Sequence, residues 1–292
     1  MKIFYFNVTY TCNSNCVFCY SHNTIHSGRQ YKDIIPEEFV AYLKLNNVNE
    51  TDRVIINGGE PFLHPNIIYI LKSLASIQCE VLIYTNGRCL KDKDFSFMNR
   101  KYRFVIPIHG YKQLHDRITK TNGSFEEMTD GIKHLMKFDC KIDIKIILNP
   151  LMVSSRAEFD KSLREIDTIP FNNAVHITTM ADTIISKKNG IPSVENDLAS
   201  IYTELLFNHF VGKQVVIKMF DTCVKNINVF GFNNKYIPLE VHFKDVNSSW
   251  LFDFYTPNND CRKECSHKEI CQSAVGNFTV LEYDGQFYKG IE

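Results

Sequence analysis

Six of the ten cysteines fall into two tight groups: Cys12, Cys16 and Cys19 within eight residues, and Cys261, Cys265 and Cys271 within eleven. Cys79, Cys89, Cys140 and Cys223 are scattered. A disulfide framework suits neither the grouping nor the compartment expected from the rest of the chain. Zinc in the first group would need a fourth ligand at zinc-like spacing, for which His22 or His26 could serve. An iron–sulfur cluster fits better. Three thiolates hold three irons of a four-iron, four-sulfur cluster and leave the fourth iron open, which is what a catalytic rather than an electron-carrying centre requires. Asn13, Ser14 and Asn15 suit the irregular loop that such ligand spacing demands, and Phe18 could shield the cluster from water.

The elements that would position these groups alternate along the chain. KIFYFNV (2–8) reads as a strand that runs straight into the first cysteine group. Residues 36–46 read as a helix with Pro36 in its first turn and acids beside it, and 53–57 as a short strand that stops at Gly58-Gly59. A helix over 65–76, strands over 80–87 and 103–110, and a serine-capped helix over 124–138 follow. Next come a strand over 141–148, a helix over 155–166, a strand over 174–180 and a helix over 196–210 opened by Asn196. Repeated strand–helix units imply parallel strands with right-handed crossovers. The expected fold is α/β, a partial (β/α)6 TIM-like barrel with its chemistry at the carboxyl ends of the strands, where the cysteine loop and Gly58-Gly59 both fall. After about residue 215 the rhythm changes to short strands and asparagine-rich turns. The expected division is therefore 1–215 as a core domain and 216–292 as a small cysteine-rich accessory domain.

Composition narrows the classes of partner. The 292 residues carry 33 basic and 33 acidic side chains, with 44% hydrophobic and 13% aromatic residues. That is ample for a core, and zero formal net charge gives no electrostatic case for nucleic acid or an anionic membrane. The N-terminal MKIFYFNVTY lacks the apolar stretch of a signal peptide, and no later run reaches the roughly 18 apolar residues of a membrane span. A cytoplasmic location is expected.

The loop Thr11-Cys12-Asn13-Ser14-Asn15-Cys16-Val17-Phe18-Cys19-Tyr20 resembles the cluster loop of radical S-adenosylmethionine enzymes. Asn57-Gly58-Gly59-Glu60-Pro61 is similar to that superfamily's GGEP motif, and Thr85-Asn86-Gly87 closes the third strand in the family manner. The likeness covers about residues 3–215. It implies a catalytic 4Fe-4S cluster on Cys12, Cys16 and Cys19, whose open iron is chelated by the amino and carboxylate groups of S-adenosyl-L-methionine. It also implies reductive cleavage to a 5′-deoxyadenosyl radical that abstracts a hydrogen atom, with a flavodoxin- or ferredoxin-type protein as electron donor. Asn57, Gly58, Gly59, Glu60, Pro61 and Asn86 would line the cofactor site, the glycines permitting close approach and Glu60 accepting from the ammonium group. The fourth strand departs from the family, reading Pro107-Ile108-His109-Gly110 where many relatives carry serine and aspartate. Lys145 on the fifth strand could take over the cofactor carboxylate. His109 is a candidate substrate contact or a packed side chain, and His115-Asp116 with Gly123-Ser124-Phe125 reads as architecture.

Cys261, Cys265 and Cys271, with Cys223 as a candidate fourth ligand, resemble the auxiliary-cluster regions of the twitch and SPASM types, implying a second 4Fe-4S cluster; structural zinc is the rival. The layout from Pro170 to Cys271 is loosely similar to His-Xaa-Ser system peptide maturases, which implies a ribosomally made peptide as substrate, modified by cross-linking, epimerisation or oxidation. The alternatives are a radical enzyme acting on a nucleoside, sugar or alcohol and, in another class, a non-catalytic zinc or electron-transfer protein. Cys79, Cys89 and Cys140 are expected as buried core residues. A loose cysteine, His176 or Asp182 could supply a hydrogen atom or a base; no individual catalytic residue is assigned.

Overall fold

The computed structural model describes residues 2–19, 32–180, 183–218, 240–245 and 279–282. Its frame is one parallel sheet. Strands β1 (Lys2–Thr9), β2 (Arg53–Gly58), β3 (Glu80–Tyr84), β4 (Tyr102–Ile108), β5 (Lys141–Leu148), β6 (Ala174–Thr179) and β7 (Gln214–Lys218) pair in sequence order. β8 (Glu240–Asp245) and β9 (Thr279–Glu282) continue the sheet beyond β1, and every neighbouring pair is parallel. Among the described residues the sheet does not close on itself, giving an open, partial TIM-like barrel. The crossovers hold helices α1 (Pro36–Leu45), α2 (Ile67–Ala75), α3 (Lys112–Thr119), α4 (Ser124–Leu135), α5 (Arg156–Ile166), α6 (Ile184–Lys188) and α7 (Asn196–His209). None of the described helices is long and apolar enough to cross a membrane.

Alternation along the strands separates two faces with different chemistry, as a period of two requires. One parity supplies Phe4, Phe6, Val54, Ile56, Phe104, Ile106, Ile144 and Ile146, all buried in a single apolar cluster with the helices. Phe6 meets Phe39 and Tyr42 of α1 edge to face. The other parity mixes polar side chains with apolar ones such as Leu82 and Val105, and includes a ladder of paired acids and bases across five consecutive strands. Arg53 pairs with Glu80 at 2.6 Å, Glu80 with Arg103 at 3.1 Å, Arg103 with Asp143 at 3.9 Å, and Asp143 with His176 at 2.7 Å. Asp143 is fully buried, and it also accepts from Asn173 Nδ2 and the Ala174 amide. Burial pushes its carboxyl up, but the hydrogen bonds from His176 and Asn173 outweigh that and hold it below the usual carboxylate range.

The observed elements match the expected strands and helices closely, with instructive exceptions. Helix α3 over 112–119 has no counterpart among the expected elements. Ser124 does not cap α4 by itself, since the N-cap position is Gly123 in the left-handed region. Asp116 of α3 does the capping instead, accepting from the Gly123 and Phe125 amides and the Ser124 hydroxyl. Those donors overcome burial and hold the Asp116 carboxyl below its ordinary range. His115-Asp116 and Gly123-Ser124-Phe125 are thus architecture, as expected.

Helix α4 lies so close to the loop after β3 that a Cβ at Gly131 would stand 2.0 Å from the Gly87 carbonyl oxygen. Alanine normally gains up to about 1 kcal/mol over glycine inside a helix. Overpacking against backbone costs about 1–3 kcal/mol, so the clash wins. Gly131→Ala is expected to lower stability by about 1–2 kcal/mol in urea unfolding, the opposite of the propensity ranking.

Candidate functional site

The carboxyl ends of β1, β2 and β3 meet at one place, and the chain leaving β1 is the first cysteine loop. Pairing with β2 shifts register between Asn7 and Thr9, at the end of β1. The next two amides of the β2 exit are then spent on the loop: Gly59 N donates to Thr9 O and Glu60 N to Thr11 O, both at 2.8 Å. A Cβ at Gly58 would lie 2.2 Å from Thr9 O, and one at Gly59 2.3 Å from Thr11 O. Gly58 also has a φ of 141°. Glycine is therefore required at both positions by the backbone of the cysteine loop itself.

Glu60 is fully buried and ties three segments together. Its Oε1 accepts from Phe62 N at 3.1 Å and Thr85 Oγ1 at 2.6 Å, and its Oε2 accepts from Asn86 N at 2.7 Å. Burial pushes its carboxyl above the usual range, against the pull of those donors. Pro61 is buried and opens a single 3-10 turn, Pro61–Leu63, for which Glu60 is the N-cap. Asn86 extends the tie, its Nδ2 donating to Asn13 Oδ1 at 2.6 Å inside the cysteine loop. Asn57 is buried and donates to the Tyr5 hydroxyl on the polar face.

The loop is fastened elsewhere too. Asn15 N and Val17 N donate to Thr119 O and Ile118 O at the end of α3. Asn189 Nδ2 donates to Val17 O at 2.7 Å. Phe18 is buried edge to face against His109, with ring centroids 5.2 Å apart. Cys12, Cys16 and Cys19 are half-buried and free of disulfides. Burial pushes the Cys12 thiol up to about 11 and the Cys16 thiol well above its ordinary value, while nearby Arg88 pulls both down. Thiols held this high bind metal by surrendering protons to a strongly charged centre.

The donor set fits an iron–sulfur cluster. The three free thiols sit on one loop that hydrogen bonds hold outside regular structure, next to strand ends whose amides and side chains are already committed. Among the described residues no three His, Cys, Asp or Glu side chains converge on the point that a single ion would occupy. Ligands to separate irons of one cluster have no need to converge so.

Other sequence candidates fall in different places. Lys145 is half-buried on the polar face of β5, its Nζ 5.8 Å from the centre of the Tyr84 ring. His109 directly follows β4 as a packed residue: it is buried, its ring is 5.1 Å from that of His115, and its Nδ1 has no hydrogen-bond partner. Cys79 and Cys140 are core residues, as expected. Cys89 is not; it is half-exposed beside the cysteine loop and accepts from Asn13 Nδ2 at 3.2 Å. Cys223, Cys261, Cys265, Cys271, Asp182, His22 and His26 lie outside the described residues. Arg88 escaped notice in the sequence, although it directly follows Asn86-Gly87 and its Nη1 reaches Asn13 O at 2.6 Å.

Two measurements test this geometry. Glu60→Gln keeps the shape but turns an amide nitrogen toward one of three donors. It is expected to cost about 1–3 kcal/mol in chemical unfolding, the penalty of an unsatisfied buried group. His115 is buried, and burial lowers its imidazole to about 4. A histidine depressed in the folded state leaves stability intact above about 6.5 and removes it as pH falls toward 4, by up to about 3 kcal/mol. His109, also pushed down by burial, acts in the same direction. Urea midpoints should therefore fall across that window, with a shallower fall in His115→Phe.

Comparison with known proteins shows the family and the fold. The family model of the radical SAM superfamily matches residues 6–166. A probable GTP 3′,8-cyclase from Thermococcus kodakarensis is 25% identical over 134 residues, 45% of this chain and 43% of that protein. The matched stretch is thus under half the length of that relative. The structure of anSMEcpe with bound AdoMet shares the fold at a TM-score of 0.55 and 17% identity, over 74% of this chain and 63% of that one. With AdoMet and the Cp18Cys peptide bound, that protein aligns at a TM-score of 0.52 and 14% identity over 93% of this chain and 87% of its own. Streptococcus suis SuiB bound to precursor peptide SuiA aligns at a TM-score of 0.52 and 11% identity, over 74% and 48%. With the superfamily's domain over more than half its length, this chain belongs to the radical SAM superfamily of enzymes.

Proposed function

We propose that Cys12, Cys16 and Cys19 hold a 4Fe-4S cluster and that S-adenosylmethionine binds beside it against Asn57, Gly58, Gly59, Glu60, Pro61 and Asn86, with Lys145 receiving its carboxylate. The observation that carries this is the tie between the cysteine loop and the ends of β2 and β3, through Glu60 N to Thr11 O and Asn86 Nδ2 to Asn13 Oδ1. When bound, the cluster and cofactor together supply a one-electron cleavage of a sulfonium that delivers a carbon radical for hydrogen abstraction. The chain's own share is orientation and exclusion of water. Glu60 and Asn86 fix the two strand-end loops relative to the cysteines, and Phe18 packs the loop against β4. With its Thr85, Asn86 and Phe62 donors already in place, Glu60 acts as the brace of the cofactor site, leaving at most its remaining Oε2 lone pair for an ammonium group.

The preferred substrate is a peptide, with residues 1–215 as the catalytic core and 216–292 holding a second cluster on Cys223, Cys261, Cys265 and Cys271. Support comes from the peptide-bound neighbours, SuiB with SuiA and anSMEcpe with Cp18Cys, which carry peptides on the same fold. The electron comes from a flavodoxin- or ferredoxin-type donor. A nucleotide is the second reading, favoured by the sequence match to the GTP 3′,8-cyclase.

Anaerobic reconstitution tests both levels. The full chain should take up about eight irons, two four-iron clusters, and release 5′-deoxyadenosine under dithionite; bound zinc without cleavage would sink the enzyme assignment. Cys16→Ala should abolish that release. Cys265→Ala should keep part of it while stopping modification of the substrate. Consumption of GTP in place of a peptide encoded beside the gene would select the nucleotide.

A further inference from the structure

Arg88 follows the Thr85-Asn86-Gly87 loop, and its side chain is only 9% exposed. Its fork has two ends. Nε pairs with Glu127 of α4 at 2.6 Å, and Nη1 donates to Asn13 O at 2.6 Å and Ser14 Oγ at 3.0 Å. Asn13 and Ser14 are residues between Cys12 and Cys16, so the guanidinium grips the turn that separates two of the three thiols. Its carboxylate partner, Glu127, has a side chain 51% exposed, so water screens only part of its charge. The arginine charge is felt at Cys12, Cys16 and Cys89, where it opposes the upward push of burial. A planar fork can hold a carboxylate and a turn carbonyl at once, whereas a lysine ammonium has no such rigid geometry.

We propose that Arg88 is a positioning residue that holds the Cys12–Cys16 turn in its ligating shape and, as a desolvated cation beside it, raises the reduction potential of the cluster bound there. This rests on the assignment of Cys12, Cys16 and Cys19 as cluster ligands. One-electron reduction adds negative charge to the cluster, and a nearby cation in a low-dielectric setting stabilises the reduced form more than the oxidised one. Glu127 anchors the fork and partly offsets its charge. The two effects separate by variant. Losing the charge shifts the potential, while losing only the fork loosens the turn.

The test uses the full reconstituted chain, with iron content after desalting, iron loss to a chelator, and a redox titration followed by electron paramagnetic resonance. Arg88→Met should lower the midpoint so that the reduced-to-oxidised ratio at the wild-type midpoint falls at least tenfold, 59 mV for one electron. Arg88→Lys should keep the potential near wild type but lose iron to the chelator several-fold faster. Glu127→Gln, which leaves the arginine in place, should raise the potential and provides the answer if Arg88→Met does not fold. A loaded Arg88→Met with the wild-type midpoint would overturn the proposal, as would Glu127→Gln with an unchanged or lower one. A wild-type chain that takes up no iron would instead overturn the cysteine assignment on which this stands.

Discussion

The carboxylate of Glu60 is the interaction on which the geometry of the site depends. It lies on the chain leaving β2, and it is fully buried where a charge can persist only if its oxygens find donors. The donors come from its own 3-10 turn and from the loop that closes β3. Its amide meanwhile holds the backbone of the cysteine loop. One residue thus sets the separation of three strand exits. Moving any of them leaves an unsatisfied polar group in the interior, which is a steeper penalty than loss of a surface contact.

The sheet behind it divides its labour by parity. One face is aliphatic and aromatic and is spent entirely on packing with the helices. The other carries the ladder from Arg53 to His176, in which each acid stands beside basic side chains. Partial burial makes each partner costly to remove, because its neighbour would be left as an unpaired buried charge. The face turned from the helices thus keeps a run of paired polar side chains among apolar ones, while the opposite face packs with the helices in one apolar cluster.

Much of this was legible in the chain. KIDIKIIL marks β5 residue for residue, and Pro36 with its following acids marks the start of α1, because period and capping are local properties. The cysteine spacing and Asn57-Gly58-Gly59-Glu60-Pro61 pointed to one end of the barrel for the same reason. What escaped was set by distant partners. Ser124 looks like a cap until Asp116 arrives from another helix with three donors to satisfy. Cys89 has the composition of a core residue, and only the fold brings Asn13 to it. The need for glycine at 58 and 59 is visible in sequence, but its cause, contact with Thr9 and Thr11, is tertiary.

The fasteners of the cysteine loop also set an order of events in the life of the protein. Its anchors come from Gly59, Glu60, Asn86, Arg88, Ile118, Thr119 and Asn189, so the last of them lies far downstream of Cys19. At about 5–20 residues per second, synthesis of the stretch between Cys19 and Asn189 takes about 10–30 s. For that interval the three thiols are on a nascent chain whose full set of anchors is not yet made. A scaffold of consecutive parallel strands makes those long-range contacts slow to form as well. On the proposed assignment of Cys12, Cys16 and Cys19 as cluster ligands, iron and sulfide would be loaded late in biogenesis, and until then the thiols of the nascent chain stand open to oxidants.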